Sequence, residues 1–250
     1  MSRPAPLPTA TIVQTAMELR LTARRGENLL AVAVIPVAVL LFFATTGIVV
    51  VPGARPVDFL LPGSLALAVI ATGLVNLGIA TAYERHYGVL RRLGGSPLSG
   101  AGLVAAKVTA VAAIVVVQAV LLFAVAALAL AWAPGPGWSP AVVAAGLALG
   151  TVTFAGLGLL LAGALRAEAT LALANGLFIA AMLLGGVIIP TDHLPAPLAA
   201  LADLLPAAAL AEALRIGLGS AAGDAVRPLL LLAVWAVAAV GLTVRTFRWE

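Results

Sequence analysis

Long runs without charged residues dominate the chain, at 28–54, 59–83, 108–165, 169–191 and 228–244. A helix needs about 20 apolar residues to cross the roughly 30 Å hydrocarbon core of a bilayer. The longest run holds two such helices, because Pro134-Gly135-Pro136-Gly137 interrupts it. The pattern therefore predicts an all-α membrane protein, a single transmembrane domain over residues 1–250. Its six predicted spans lie at about 29–51, 59–82, 103–132, 140–165, 170–189 and 228–245.

The composition agrees with this prediction. Hydrophobic residues make up 63% of the chain and charged residues 10%, whereas soluble domains have about 45–50% and about 25%. The absence of cysteine excludes disulfides and cysteine-ligated metals. The formal net charge of +4 comes from basic residues scattered at span ends, so it does not indicate a nucleic-acid partner.

The basic residues also orient the spans. Six spans place both termini on one side, which then collects Arg3, Arg20, Arg24, Arg25, Arg85, Arg91, Arg92, Lys107, Arg166, Arg245 and Arg248. The other side collects Arg55, Arg215 and Arg227. We therefore expect a multi-pass protein of the cytoplasmic (inner or plasma) membrane with both termini in the cytoplasm. Lys107, just inside the third span, is expected to extend its ammonium back to the interface.

Residues 9–26 favour an amphipathic helix that lies in the cytoplasmic interface before the first span. Thr9 or Thr11 is a candidate N-cap. One face of this helix would hold Ile12, Ala16, Leu19 and Ala23. A polar lead-in that satisfies the positive-inside rule is the simpler alternative. The first 28 residues contain no signal-peptide core, so we expect the first span to be retained.

A short charged segment, 83–93, lies between the second and third spans on the cytoplasmic side. Tyr83, Tyr87 and Leu90 have helical spacing, and Gly94-Gly95 provides a stop. Ser96-Pro97 resembles the cap and first turn of the next helix. We expect one helix of 11 residues, while an ordinary arginine-bearing loop is the alternative.

A proline-divided segment, 190–227, precedes the last span on the outer side. Its pieces are short and rich in leucine, which is unlike a soluble domain. Such pieces suit a re-entrant or surface-lying helical hairpin.

Catalytic signatures are absent from the sequence. There is no P-loop, and His86 and His193 fall on opposite sides of the membrane. We therefore expect neither enzymatic activity nor a cofactor bound by this chain. A few weakly polar side chains fall inside the spans, where they could line a path for a cargo or form helix–helix hydrogen bonds. They are Thr72, Asn76, Gln118, Thr151, Thr153 and Asn175.

The charged segment resembles the first cytoplasmic loop of type-2 ATP-binding-cassette (ABC) exporter permeases, which include multidrug- and daunorubicin-resistance-like members. That loop reads roughly Glu-Arg-Glu-x-Gly-Thr-Leu, two variable residues, Leu, then Ser/Thr-Pro. Here the corresponding residues are Glu84-Arg85-His86-Tyr87-Gly88-Val89-Leu90-Arg91-Arg92-Leu93 and Ser96-Pro97, with His86 and Val89 departing from the pattern. The outer segment is similar too, through Ile189-Pro190, Leu194-Pro195, Pro206 and Glu212-Ala213-Leu214-Arg215.

The resemblance implies a permease subunit that pairs with a second copy or a close paralogue. It also implies two copies of a separate P-loop ATPase, which uses ATP and Mg²⁺. The charged segment would be the coupling helix in a groove of the ATPase, through Tyr83, Glu84, Arg85, Tyr87, Gly88, Leu90, Arg91 and Arg92. The outer hairpin would gate the path, with Pro190, Pro206, Glu212 and Arg215 as the gate residues.

The cargo expected from the charge-poor spans is an amphipathic or lipophilic compound, such as a drug or antibiotic. Export of a polysaccharide, haem or sodium within the same family is the alternative; the low aromatic content of 5% weighs against polysaccharide. A membrane-embedded enzyme or a membrane scaffold without transport activity is the alternative from another class.

Overall fold

The computed structural model describes residues 7–24, 26–46, 48, 55–96, 98–187 and 194–246. Within these ranges all regular structure is helical, which confirms the all-α prediction. The helices are α1 (Leu7–Arg24), α2 (Gly26–Thr46), α3 (Pro56–Ile70), α4 (Leu77–His86), α5 (Val89–Leu93), α6 (Gly100–Leu130), α7 (Pro140–Ala164), α8 (Ala167–Leu184), α9 (Ala196–Ala202), α10 (Pro206–Gly217) and α11 (Val226–Thr246). A π-helical stretch, Ala71–Asn76, joins α3 to α4 without a break.

Five helical segments of the described residues are long and apolar enough to cross a membrane. They are Pro56–His86 (α3, the π-helical stretch and α4), α6, α7, α8 and α11, which correspond to the second to sixth predicted spans. The first predicted span falls on α2, where Val34–Thr46 is a shorter apolar stretch. Residues 47 and 49–51 lie outside the described residues. The chain is therefore a multi-pass membrane protein.

Helix α7 lies at the centre of the bundle and packs closely on its neighbours. A Cβ at Gly158 would clash with the carbonyl oxygens of Gly73 and Leu74, so the α3–α4 span approaches α7 at backbone distance. Against α11, the Thr243 hydroxyl lies 2.9 Å from the Gly156 carbonyl oxygen. Small residues and hydroxyl–carbonyl hydrogen bonds are typical contacts between membrane helices.

The opposite faces of α6, α8 and α11 are apolar and exposed. Leu128 in α6 is 88% exposed and Val237 in α11 is 75% exposed. Exposing these apolar faces to water would be energetically unfavourable, whereas lipid chains solvate them without penalty. Their exposure therefore agrees with the membrane assignment.

The predicted outer hairpin corresponds to α9 and α10, which meet at a 78° bend; we call this end of the bundle the hairpin end. Helix α10 is buried along most of its length, and Leu210 and Leu214 are fully inaccessible. Its last turn accepts hydrogen bonds from the α6–α7 loop, where Ser139 N donates to the Gly217 carbonyl at 2.8 Å. The segment therefore folds back into the bundle, as expected for a re-entrant element.

At the hairpin end, Arg55 links the start of the second span to the end of α6. The Arg55 guanidinium pairs with Asp58 at 3.1 Å and donates to the Ala131 carbonyl at the end of α6 at 3.0 Å. The hydrogen bond that Arg55 donates to Asp58 and the negative charge of Asp58 raise the pKa of Arg55.

Helix α1 runs from Leu7 to Arg24 rather than over 9–26, so the predicted caps Thr9 and Thr11 lie inside it. Ile12 and Val13 are 68% and 64% exposed. Two of its polar side chains contact α6: the Thr15 hydroxyl lies 3.4 Å from the Ala106 carbonyl oxygen, and Glu18 lies 3.0 Å from Lys107. This arrangement suits a helix whose apolar face enters lipid.

Candidate functional site

A left-handed glycine separates the end of the second span from the loop that follows it. Helix α4 ends at His86, and Gly88 has a φ of 70°, a conformation that favours glycine. The Gly88 N–H donates to the Arg85 carbonyl at 2.9 Å, which closes the helix end. The predicted continuous helix over 83–93 is therefore wrong: residues 83–86 belong to the span, and only the five residues of α5 form a separate helix.

The apolar side of α5 packs against the chain itself. Leu90 is 1% exposed and lies in a cluster with Leu98 and Leu103, on which Ala10 and Leu93 also pack. The expectation that Leu90 would anchor in an ATPase groove is therefore wrong, because its side chain is already buried. The next helix is capped by Ser99, whose Oγ accepts from Gly102 N at 3.0 Å, and not by Ser96 as predicted.

A buried ion triad lies beneath this loop. Lys107 Nζ of α6 is 2.7 Å from Glu84 Oε2 of α4 and 3.0 Å from Glu18 Oε1 of α1. The Lys107 side chain is 1% exposed, against 16% for Glu84 and 13% for Glu18. The Lys107 ammonium therefore reaches Glu18 and Glu84 close to the loop but is buried rather than exposed to water, and Glu84 does not take the solvated position expected for an ATPase contact.

Arg85 also points into the protein. Its guanidinium donates to the carbonyl oxygens of Gly163 and Leu165 at the end of α7. These carbonyls have no partner within their own helix, so the arginine supplies the missing donors. The expectation that Arg85 would contact an ATPase is replaced by this capping role.

The loop also exposes several side chains, which we together call the loop patch. It consists of His86, Tyr87, Val89, Arg91 and Arg92. Tyr87 is 67% exposed and stacks on the half-buried Tyr83, with ring centroids 6.1 Å apart. The patch is basic and aromatic, and its backbone is fixed by Gly88 on one side and by buried Leu90 on the other.

The polar residues inside the spans separate into two groups. Gln118 is buried, and its Oε1 lies 3.0 Å from the Thr72 hydroxyl of the neighbouring span. Thr153 donates to the Leu232 carbonyl of α11 at 3.2 Å, and Thr151 is buried. Gln118 and Thr153 thus join helices.

The second group is Asn76 and Asn175, which both line an open cleft of about 210 Å³. The rest of the cleft is apolar and consists of Ile35, Pro36, Leu67, Ala71, Val75 and Phe178. The Asn175 side chain is exposed and donates to the Leu171 carbonyl of its own helix at 2.8 Å. Two amides in an apolar cleft can orient a mostly apolar molecule.

The predicted gate residues lie apart from one another. Pro206 is buried at the first position of α10, and Glu212 is exposed on its outer side. Arg215 donates to the Gly186 carbonyl and places its guanidinium 4.2 Å from the centre of the Phe59 ring. Pro190 lies outside the described residues.

The Lys107 triad is the feature that the sequence reasoning missed. A lone lysine inside an apolar run requires a counter-charge nearby. Glu84 stands at the end of the preceding span and Glu18 in the N-terminal helix. The need for a counter-charge could therefore be predicted from the charged residues of the sequence alone.

The fold and this site define a multi-pass helical membrane protein with a structured, basic loop at one end. A family model described as ABC-2 type transporter matches residues 10–218. The chain therefore belongs to the ABC-2 type transporter family, which confirms the resemblance found from its residues. The membrane domain of this family is a permease component of an ABC transporter and works with an ATP-binding partner. A comparison with curated proteins gives no match.

Proposed function

We propose that the chain is the permease subunit of an ATP-driven exporter that moves an amphipathic or lipophilic compound, such as a drug or antibiotic, across the cytoplasmic membrane. ATP and Mg²⁺ are used by two copies of a separate P-loop ATPase. A second permease copy, identical or a close paralogue, completes the complex. The loop and both termini lie in the cytoplasm.

The observation that carries this proposal is the loop patch. It combines exposed arginines with an exposed tyrosine on a short, fixed backbone, which suits docking into an acidic, partly apolar groove of another protein. Arg91 and Arg92 fix the register electrostatically, and Tyr87 supplies the apolar contact. Of the residues expected to couple to the ATPase, these three keep that role, while Gly88 shapes the turn that presents them.

The cleft at Asn76 and Asn175 is the proposed contact for the cargo. Its apolar walls suit a lipophilic body, and its two amides suit one or two polar groups. This polarity favours a lipophilic cargo over a polysaccharide or a sodium ion. The gate at the hairpin end, with Arg215 on Phe59, stays a proposal that follows from the family resemblance.

Co-purification with the ATPase tests the coupling assignment. Replacing Arg91 and Arg92 together by glutamate is expected to reduce recovery of the ATPase with the permease and to reduce transport. The matched control replaces Arg166 and Arg245, two exposed arginines outside the patch, by glutamate. Full recovery and transport in the patch variant would reject the assignment. If the unsubstituted chain recovers no ATPase, the result would favour the alternative of a membrane scaffold without transport activity.

A further inference from the structure

We propose that Lys107 is a positioning residue that makes helix α1 move together with the cytoplasmic loop. The inference rests on the proposed function, because it assigns the route by which movement of the ATPase enters the membrane domain. Three elements meet at its ammonium group: α6 carries it, α4 supplies Glu84 at 2.7 Å, and α1 supplies Glu18 at 3.0 Å. Glu84 lies three residues before Tyr87 of the loop patch.

Burial makes this junction stiff. The Lys107 side chain is 1% exposed, so its charge relies on the two carboxylates rather than on water. Moving either carboxylate away would lose one of the two charge-assisted contacts of Lys107 in a medium of low dielectric constant, where such contacts are strong. Displacement of the end of α4 therefore carries Lys107 and Glu18 along with it.

An apolar contact between α1 and the loop has no such directionality. Ala10 packs on the apolar cluster around Leu90, and an apolar contact tolerates sliding. The ionic contact at Glu18 resists displacement of α1 both toward Lys107 and away from it. This difference assigns the coupling to Lys107 rather than to the packing at Leu90.

Movement of α1 leads through α2 to the apolar cleft. Helix α1 ends at Arg24 and α2 begins at Gly26, so the two helices are joined almost directly. Ile35 and Pro36 of α2 form one wall of the cleft that contains Asn76 and Asn175. A displacement that starts at the loop patch thus reaches the cleft wall through Lys107, α1 and α2.

A second, small cavity gives the triad room to shift. It measures about 50 Å³ and is lined by the triad together with Thr22, Thr72 and Asn76, among others. This volume suffices for a few water molecules, and the lining offers them hydrogen-bond partners. Water there would hydrate the carboxylate oxygens without replacing the lysine.

Two fluorescent probes test the assignment in the permease–ATPase complex reconstituted in lipid nanodiscs. The chain has no cysteine, so single cysteines at the exposed positions Ala16 and Ser96 report on α1 and on the loop. Each is labelled with a bimane fluorophore, with an ATPase whose own cysteines are replaced. We expect MgATP to change both signals in the otherwise unsubstituted complex.

The decisive variants are Glu18→Ala and Lys107→Met. In both, the Ala16 response is expected to fall about fivefold or more while the Ser96 response remains, because the ionic contact to α1 is lost. Thr22→Ala is the matched control: Thr22 lines the same cavity, but among the described residues its hydroxyl bonds to the Glu18 carbonyl of its own helix and not to the triad side chains. It is expected to leave both responses unchanged.

Three results would overturn the inference. The Ala16 response could persist in Glu18→Ala, or both responses could fall together, as a general loss of structure would cause. An equal loss in Thr22→Ala would also exclude a specific role of the ion pair. If MgATP changes neither probe before any triad substitution, the proposed function fails, and this inference fails with it. Glu18→Ala decides the question alone if Lys107→Met does not fold.

Discussion

Glu84 and Arg85 are neighbours in sequence, yet their side chains bind two different helices of the bundle. Glu84 reaches Lys107 of α6 at 2.7 Å, whereas Arg85 donates to the carbonyl oxygens of Gly163 and Leu165 at the end of α7. Consecutive helical residues point about 100° apart, so one turn can contact two different helices. The last turn of α4 is therefore held between α6 and α7, and the loop patch starts from a fixed position.

Replacing Arg85 by glutamine is expected to destabilise the protein. The substitution removes charged donors from the last carbonyls of α7, and hydrogen bonds to charged groups contribute about 1.5–3 kcal/mol each. The free energy of unfolding, measured in mixed micelles with increasing SDS, should fall by at least about 1.5–3 kcal/mol, the contribution of one such bond. Arg92→Gln, at an exposed position of the same loop, should change it by less than about 0.5 kcal/mol. Equal stability of the two variants would contradict the capping role.

Gly88→Ala isolates the cost of the turn that ends α4. A Cβ at Gly88 meets nothing within 4 Å, so the only penalty is that of a φ of 70° for an L-residue. That penalty is roughly 1–2 kcal/mol. The free energy of unfolding should fall by this amount, and recovery of the ATPase should fall because the turn that presents the patch is less stable.

The matched control is Gly241→Ala. Its Cβ also meets nothing within 4 Å, but Gly241 lies inside α11. There alanine should be neutral or stabilising by up to about 1 kcal/mol. If both alanine variants behaved alike, the left-handed conformation would not be what shapes the loop.

The spans were predictable because a bilayer imposes one simple requirement, a long charge-free helix. The break at Gly88 was not, because the spacing of Tyr83, Tyr87 and Leu90 also fits a continuous helix. Leu90 illustrates a second limit: an apolar residue in a loop suits an interface with a partner as well as packing on its own chain. Which of the two it serves depends on Leu98 and Leu103, and only the folded structure brings these together.

The Lys107 triad marks a third limit. A lone lysine in an apolar run indicates that a counter-charge is needed, but the sequence does not identify the acidic residue that supplies it. Glu84 comes from the preceding span, and Glu18 comes from a helix before the first span. Long-range packing of α1 on α6 decides the pairing, and no local pattern encodes it.

Asn175→Leu is expected to change transport without changing stability. The Asn175 amide bonds only within α8 among the contacts of the described residues, so its loss should shift the free energy of unfolding by less than about 0.5 kcal/mol. A lost hydrogen bond to a cargo should raise its KM roughly 2–10-fold. The measurement is ATP-dependent uptake of ethidium, a lipophilic cation, into inverted membrane vesicles.

Thr153→Val provides the contrast. It removes the hydrogen bond to the Leu232 carbonyl of α11 and should lower the free energy of unfolding by about 1 kcal/mol with the KM unchanged. A shifted KM in Thr153→Val, or an unshifted one in Asn175→Leu, would exclude the cleft as the cargo contact.

The proposed orientation of the chain predicts which loops an impermeant reagent can reach. Ser96, in the loop after α5, and Ala221, between α10 and α11, are exposed and lie at opposite ends of the bundle. Arginine-rich short loops stay in the cytoplasm, because moving their charges across the membrane during insertion is disfavoured. A membrane-impermeant maleimide should therefore label Ala221→Cys in intact cells and should label Ser96→Cys only after permeabilisation. Both substitutions leave the number of basic residues unchanged, so they do not alter the distribution of positive charge from which the orientation is predicted. Labelling of Ser96→Cys in intact cells would place the loop patch outside the cell, where no cytoplasmic ATPase could reach it.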